Sequence, residues 1–168
     1  MSGGSSFVLS GVEVTSAVAR ASMLGELQRR GVRLACVVNN AGMLVRGPDE
    51  LGADAYSLTI ATNTTAPLLL ARELASSGLL VPNACIVNVS SELGKLSHLS
   101  KTYAALVSAC QTIEECCEVP RMPLDELLTA GTYAPVYCLS KALLNRGTSL
   151  LSEELRGVAS MCAVHPGW

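Results

Sequence analysis

The stretch "RLACVVNNAG", residues 33–42, joins a short apolar run to a polar turn of small residues. The run is rich in β-branched residues and too short for a helix, which is typical of a strand buried in a parallel sheet. Three further runs of this kind occur along the chain, namely "FVLSGVEV" (7–14), "ACIVNVS" (84–90) and "GVASMCAV" (157–164). Their spacing predicts strands that alternate with helices, as in an α/β fold.

Three longer helical patterns separate the four runs. The first begins after Thr15 or Ser16, either of which can cap it, and Gly31 can end it. The second spans residues 53–77 and the third about 134–156. Strands and helices therefore alternate as in βαβ units.

The segment at about 97–133 is too long for a single connection, so we expect an inserted helical excursion there. It holds one helical pattern from Tyr103 to about Cys117 and a second from Leu124 to Leu128, and Gly131 closes it.

Length and composition predict one domain, residues 1–168, of which 49% are hydrophobic and only 15% charged. The net charge of −2 argues against nucleic acid or an anionic membrane as the main partner. No apolar stretch approaches the roughly 20 residues of a membrane span, and the start lacks the pattern of a signal peptide. We therefore expect a cytoplasmic protein without a membrane partner.

The chain has seven cysteines, an odd number, without a C-x-x-C motif. Most lie inside apolar runs, which predicts reduced thiols in the core. We expect no metal site, because His98 and His165 do not cluster with them. The cysteines are Cys36, Cys85, Cys110, Cys116, Cys117, Cys138 and Cys162.

Three of the predicted strands end in polar or glycine-bearing turns: "VVNNAG" (37–42), "IVNVSS" (86–91) and "VHPGW" (164–168). In open parallel sheets, ligands bind outside the carboxyl ends of the strands. The third helix also carries "YCLSK" (137–141), which places a tyrosine and a lysine on one helix face. Such a pair is weak evidence alone, and the strand ends give it a context.

Pro67 lies within the second predicted helix. Proline has no N–H group, so the carbonyl of Asn63, four residues earlier, is left free to accept another hydrogen bond. An ordinary proline kink without a role is the alternative.

In this order, "NNAG", the helix asparagine, "NVSS", "YCLSK" and "HPG" resemble the short-chain dehydrogenases/reductases over essentially the whole chain. The resemblance implies a Rossmann-type three-layer fold with a parallel sheet and an NAD(P)-dependent oxidoreductase. The chain is most similar in character to carbonyl-reductase-like members, which share the long helical insertion and the "PGW" ending. In those members the insertion covers a dimerisation face, which implies a monomer; a substrate lid is the other interpretation.

The resemblance also implies roles for the site residues. Tyr137 is then the general acid that protonates a ketone or aldehyde oxygen as hydride arrives. Lys141 favours the phenolate form of the tyrosine and binds the ribose hydroxyls. Ser91 holds the substrate carbonyl, and the Asn63 backbone carbonyl holds a water that relays protons to Lys141.

The implied cofactor is NADP(H), with NAD(H) as the alternative. Glu13 replaces the aspartate usual in the family, and its carboxylate either accepts from the adenine amine or points into solvent. The implied cofactor-binding residues are Glu13, Val14, Asn40, Ala41, Gly42, Tyr137, Lys141, Pro166 and Gly167.

The sequence departs from the family where the pyrophosphate should bind. It has no glycine-rich turn between a strand and a helix, and "SGGSS" (2–6) precedes a strand run. We therefore expect an incomplete fold that lacks the first βαβα segment and the C-terminal strand. In the strand order 3-2-1-4-5-6, the runs at 33, 84 and 157 can still pair, while the run at 7–14 loses its neighbours.

Two functions remain open at this point. One is an oxidoreductase acting on a small carbonyl substrate, and the other is a truncated, non-catalytic fragment that binds no cofactor. Open sheet edges would then favour self-association. A hydrolase based on Ser91 is a distant third, because "NVSSELG" lacks the G-x-S-x-G elbow and His165 has no evident acidic partner.

Overall fold

The structure, a computed structural model, describes residues 6–45, 53–118 and 134–167. Helices and strands alternate over most of this range. In chain order they are α1 (Ala17–Arg29), β1 (Leu34–Asn39), α2 (Ala53–Ile60), a π-helical segment (Ala61–Thr65), α3 (Ala66–Ser76), β2 (Leu80–Val89), 3-10 turns at Glu92–Gly94 and Leu96–His98, α4 (Lys101–Ala109), α5 (Ile113–Cys117), α6 (Pro135–Glu154) and β3 (Ala159–Val164).

The three strands form one parallel sheet in the order β1-β2-β3. Val37 pairs with Ile86, and Val87 pairs with Cys162. This confirms the prediction that the runs at 33, 84 and 157 pair with one another. Because all three strands run in the same direction, their carboxyl ends meet at one edge of the sheet.

Helices α3 and α6 cover one face of the sheet, where Leu68, Ile86 and Leu143 are fully buried. Residues of the opposite face are more exposed, with Val38 at 58% and Val164 at 41%. The expectation that the cysteines are core residues is therefore only partly right. Cys110, Cys116 and Cys138 are buried, Cys85 and Cys117 are half-buried, and Cys36 and Cys162 are exposed on the face opposite α3 and α6.

The run at 7–14 does not form a strand, contrary to the sequence prediction. In the described part of the chain no strand lies beside it, so its backbone groups have no ladder to join. Gly11 also adopts φ +73°, which interrupts an extended run. Phe7 is half exposed, and the guanidinium of Arg30 lies 4.6 Å from its ring centroid.

The predicted helix at 53–77 is continuous but changes its winding immediately before Pro67. Residues 61–65 are π-helical, and the N–H of Ala66 donates to the carbonyl of Ala61, five residues earlier. Proline supplies no N–H for a regular helical bond, and such wider turns occur where the regular ladder is interrupted.

Helix α1 starts and ends as predicted. The Ser16 hydroxyl accepts from the Ala19 N–H at 3.3 Å, and Gly31 follows the helix with φ +65°. The guanidinium of Arg20, which is 3% exposed, donates to both carboxylate oxygens of Glu73 in α3. This ion pair joins α1 to α3.

The inserted excursion forms α4 and α5 within residues 101–117. Cys110 ends α4, and its carbonyl accepts two bonds from the Arg146 side chain of α6, at 2.6 and 2.8 Å. The second predicted pattern, Leu124 to Leu128, lies outside the described residues. No helix within the described ranges is long and apolar enough to cross a membrane.

Candidate active site

Tyr137 and Lys141 lie one turn apart near the start of α6. The Lys141 side chain is 4% exposed, and its Nζ lies 5.7 Å from the centroid of the Tyr137 ring. Nζ donates to the Val89 carbonyl at the end of β2, at 2.7 Å. Burial lowers the pKa of Lys141 to about 8. The lysine thus connects the tyrosine helix to the carboxyl end of the central strand.

The lowered pKa of Lys141 predicts a pH-dependent stability. Between pH 8 and the ordinary value of 10.5 the unfolded chain binds the proton more strongly than the folded chain, so stability rises with pH. Relative to Lys141→Met, the wild type should gain free energy of unfolding across this window, by up to about 3 kcal/mol. Urea unfolding of both proteins at pH 7 and pH 10 measures the difference between their free energies of unfolding. Both proteins contain the same cysteines, so any contribution from thiol titration cancels in the comparison. An equal difference at both pH values would contradict the prediction.

The Asn63 side chain joins three parts of the site and is 1% exposed. Its Oδ1 accepts from the Met43 N–H at 2.9 Å, and its Nδ2 donates to the Met43 carbonyl at 2.9 Å. Nδ2 also donates to the Ser140 hydroxyl at 3.0 Å. Asn63 therefore fixes the turn after β1 to α6, beside Lys141.

Gly42 belongs to this same cluster. A Cβ atom placed on Gly42 would lie 3.4 Å from Asn63 Oδ1 and 3.7 Å from Lys141 Nζ. Gly42 of the "NNAG" turn, Asn63 and Lys141 thus meet at the carboxyl edge of the sheet, although 99 positions separate the first from the last.

Ser91 lies on the short turn that follows β2. Its hydroxyl accepts from the Leu93 N–H at 3.2 Å, which caps the 3-10 turn at 92–94. The backbone of Gly94, at the end of that turn, packs closely against α6, because a Cβ atom added to Gly94 would lie 3.0 Å from the Cβ of Lys141. Ser91 is half-buried on a turn that packs against the helix of Tyr137 and Lys141.

Three of the residues predicted to contact the cofactor line one cavity. Val14, Asn40 and Ala41 border a space of about 280 Å³ whose remaining walls are mostly apolar. Those walls come from α1, β1 and α3, and the cavity follows β1 from Leu34 to Asn39 and on to Ala41.

The other cofactor-binding predictions lie at the margins. Glu13 is exposed, and its carboxylate accepts from the Thr15 N–H and hydroxyl, which lowers the Glu13 pKa. Pro166 and Gly167 are exposed beyond the end of β3, and Gly167 has φ +80°. Because the Ser90 N–H donates to the Val164 carbonyl, the "HPG" turn leaves the sheet beside the end of β2.

Sequence reasoning missed several polar residues that connect the site to the core. Asn88 is fully buried, accepts from Asn39 Nδ2 at 2.8 Å and donates to the Thr148 hydroxyl at 2.8 Å. Ser140 donates to the Tyr137 carbonyl, and Asn145 contacts the Ser91 turn. The sequence feature that could have identified them is that Ser140 and Asn145 are polar residues within the otherwise apolar pattern of α6.

Metal-binding side chains are scattered in the described residues. Among residues 6–45, 53–118 and 134–167, no group of three or more His, Cys, Asp or Glu side chains is arranged to hold a metal ion.

The fold is similar to solved structures of oxidoreductases. Salutaridine reductase from Papaver somniferum aligns with a TM-score of 0.71 and 22% identity over 92% of this chain and 67% of that one. NADPH-bound carbonyl reductase from chicken fatty liver aligns with a TM-score of 0.58 and 27% identity, over 96% of this chain and 57% of that one. A 4-hydroxyisoleucine dehydrogenase complexed with NADH and succinate aligns with a TM-score of 0.64 and 19% identity, over 95% of this chain and 61% of that one. The chain thus spans only part of the length of these structures.

No curated protein matches the sequence significantly. The family model described as short chain dehydrogenase matches residues 2–113, which is more than half of the chain. The match includes the "NNAG" turn, Asn63 and the "NVSS" motif. The chain belongs to the short-chain dehydrogenase/reductase family, a class of NAD(P)-dependent oxidoreductases.

Proposed function

We propose that this domain reduces a ketone or aldehyde with NAD(P)H, and that Tyr137 is its general acid. The observation that carries the proposal is the convergence on α6. Lys141 lies one helical turn after Tyr137, and its ammonium bonds to the end of β2. The Asn63 amide bonds to α6 between these two residues, and the Ser91 turn packs against Lys141. All of these contacts lie at the carboxyl edge of the sheet. This edge is where ligands bind in open parallel sheets.

Each side chain has a distinct task in the proposal. The Tyr137 hydroxyl gives its proton to the substrate oxygen, and the Ser91 hydroxyl donates a hydrogen bond to the same oxygen. The Lys141 ammonium stabilises the phenolate that Tyr137 becomes. Lys141 then passes a proton to that phenolate, and a water held by the Asn63 backbone carbonyl returns a proton to the lysine. Pro67 supports that last role, because it leaves the carbonyl four residues earlier without a regular helical partner.

The residues present fit one part of a nicotinamide dinucleotide. NAD(P)H would supply the hydride, Tyr137 and Lys141 would bind its ribose, and Val14, Asn40 and Ala41 would line the adenosine side. The cavity of about 280 Å³ beside these three residues supports that placement. Gly42, Pro166, Gly167 and Glu13 complete the proposed set. The sequence offers no glycine-rich turn for the phosphates.

We propose NADP(H) as the cofactor, with NAD(H) as the alternative. The similar carbonyl reductase holds NADPH, whereas the 4-hydroxyisoleucine dehydrogenase holds NADH.

The second candidate function is a non-catalytic, reductase-like fragment. The free outer edge of β1 within the described sheet favours it. Such an edge offers unpaired N–H and C=O groups to another chain.

Titration of the 168-residue chain with NADPH distinguishes the two functions. For the reductase we expect nicotinamide fluorescence to report submillimolar binding, and NADPH absorbance to fall when an aromatic aldehyde such as 4-nitrobenzaldehyde is added. Absence of both signals would refute the reductase and support the non-catalytic fragment. Binding without turnover on a panel of aldehydes and ketones would refute the proposed reaction alone.

We also propose that the chain is a monomer. The excursion of α4 and α5 packs on α6, with Ile113 and Cys116 buried and Arg146 bonded to Cys110, so this helix face is covered. Light scattering after gel filtration should give the 17.5 kDa mass of one chain. A concentration-dependent larger mass would instead indicate association through the open sheet edges.

A further inference from the structure

The carboxamide of Asn145 contacts the residues on both sides of Ser91. The Ser90 hydroxyl donates to Asn145 Oδ1 at 2.6 Å, and Asn145 Nδ2 donates to the Gly94 carbonyl at 3.2 Å. The donor and acceptor of the amide are both used, so its orientation is determined by these two partners. One side chain therefore connects α6 to the start and to the end of the turn that carries Ser91.

Asn145 lies one helical turn after Lys141 and two turns after Tyr137. Residues at this spacing share a helix face, so the amide is rigidly placed relative to the tyrosine. Close packing strengthens the connection, because a Cβ on Gly94 would lie 2.9 Å from Asn145 Nδ2 and 3.0 Å from Lys141 Cβ. The turn consequently has little space in which to shift along α6.

We propose that Asn145 is a positioning residue, which holds the Ser91 hydroxyl at a fixed distance from Tyr137. This inference rests on the proposed function, because Ser91 and Tyr137 must act on one substrate oxygen for their separation to matter. Small displacements of a reacting or orienting group reduce rates strongly, up to about 100-fold for roughly 1 Å. Asn145 acts through Ser91 and need not touch substrate.

A double-mutant cycle tests this dependence. Asn145→Leu removes both bonds at similar volume, and we expect kcat/KM for the aldehyde to fall by about 10- to 100-fold. In a Ser91→Ala background the same change should cost less than about twofold, because residues that act through one another are not additive. An equal loss in both backgrounds would overturn the proposal. The dissociation constant for NADPH should stay unchanged in Asn145→Leu.

Two variants serve as controls. Thr148 lies in α6, three residues after Asn145, and its hydroxyl accepts a hydrogen bond from Asn88. Thr148→Val removes that bond, so it disturbs the same helix without changing a residue that contacts the Ser91 turn. Its effect on kcat/KM should not depend on Ser91. Asn145→Asp keeps the acceptor for Ser90 and loses the donor to Gly94, so its loss should lie between the wild type and Asn145→Leu.

Hydrogen exchange provides a readout that does not need turnover. The N–H groups of Leu93 and Gly94 donate to the hydroxyl and the carbonyl of Ser91. Asn145→Leu should accelerate exchange in residues 91–95 while leaving Val87 and Val89 in β2 unchanged. If the wild type shows no turnover, the proposed function fails. Unchanged exchange in the turn would then overturn the role of Asn145, and selective acceleration would support it.

Discussion

Tyr137→Phe is expected to lower kcat for aldehyde reduction by about 100- to 10,000-fold, because it removes the proposed proton donor and keeps the ring. The ring of phenylalanine still fits the half-buried space beside Lys141, so the fold and the lysine should be preserved. Initial rates of NADPH oxidation with 4-nitrobenzaldehyde measure the effect. Fluorescence titration with NADPH separates a loss of chemistry from a loss of binding.

Tyr103→Phe is the matched control for the loss of a phenol hydroxyl. Tyr103 is buried in α4, within the inserted excursion. Its replacement should change kcat by less than about threefold, in keeping with a residue that supplies no proton to substrate. If Tyr137→Phe kept most of the wild-type activity, Tyr137 would not be the acid.

Gly147→Val is expected to abolish stable folding. Gly147 lies inside α6, and a Cβ atom added there would lie 2.4 Å from Cδ1 and 2.9 Å from Cδ2 of Leu68. Leu68 is fully buried, so its side chain cannot turn out into solvent to relieve the contact. Inserting extra methylene groups into a packed core typically costs about 1–3 kcal/mol and sometimes more, and valine adds three carbon atoms. Circular dichroism and urea unfolding measure the loss.

Gly147→Ala and Gly25→Ala make the same chemical change in two different environments. Alanine is normally the better residue inside a helix, by about 1 kcal/mol. Gly25 in α1 has open space around its Cβ position, so Gly25→Ala should stabilise the protein. Gly147→Ala should destabilise it, and Leu68→Ala should recover part of that loss by removing the clashing atoms. Stabilisation by both substitutions would refute the close contact between α6 and α3.

The order of strands and helices was predictable because each depends on local patterns of apolar residues. The run at 7–14 shows where such patterns fail. Its composition suits a strand, but a strand also needs a neighbour, and the described residues provide none. The exposed positions of Cys36 and Cys162 follow from the same cause, since burial depends on what covers the face of the sheet.

The site was predictable to the extent that motifs mark it. Tyr137, Lys141, Asn63 and Ser91 could be named from the sequence, and the structure brings their segments together at one edge of the sheet. Their partners could not be named. Asn145 forms its bonds with residues 51 and 55 positions away, and nothing in its local sequence specifies a partner.

The π-helical segment at 61–65 has a consequence for length variation in this region. A regular helix turns by about 100° per residue, so every residue added or removed rotates one part of the helix against the other. The wide turn accommodates one extra residue and thereby gives Asn63 the azimuth at which it meets both Met43 and Ser140. Deleting a single residue between Ile60 and Pro67 would restore a regular helix with the flanking turns still in phase, but it would change the azimuth of the residues inside the segment and separate Asn63 from its two partners. The spacing of asparagine and proline is therefore a geometric constraint on this helix, separate from the identity of either residue.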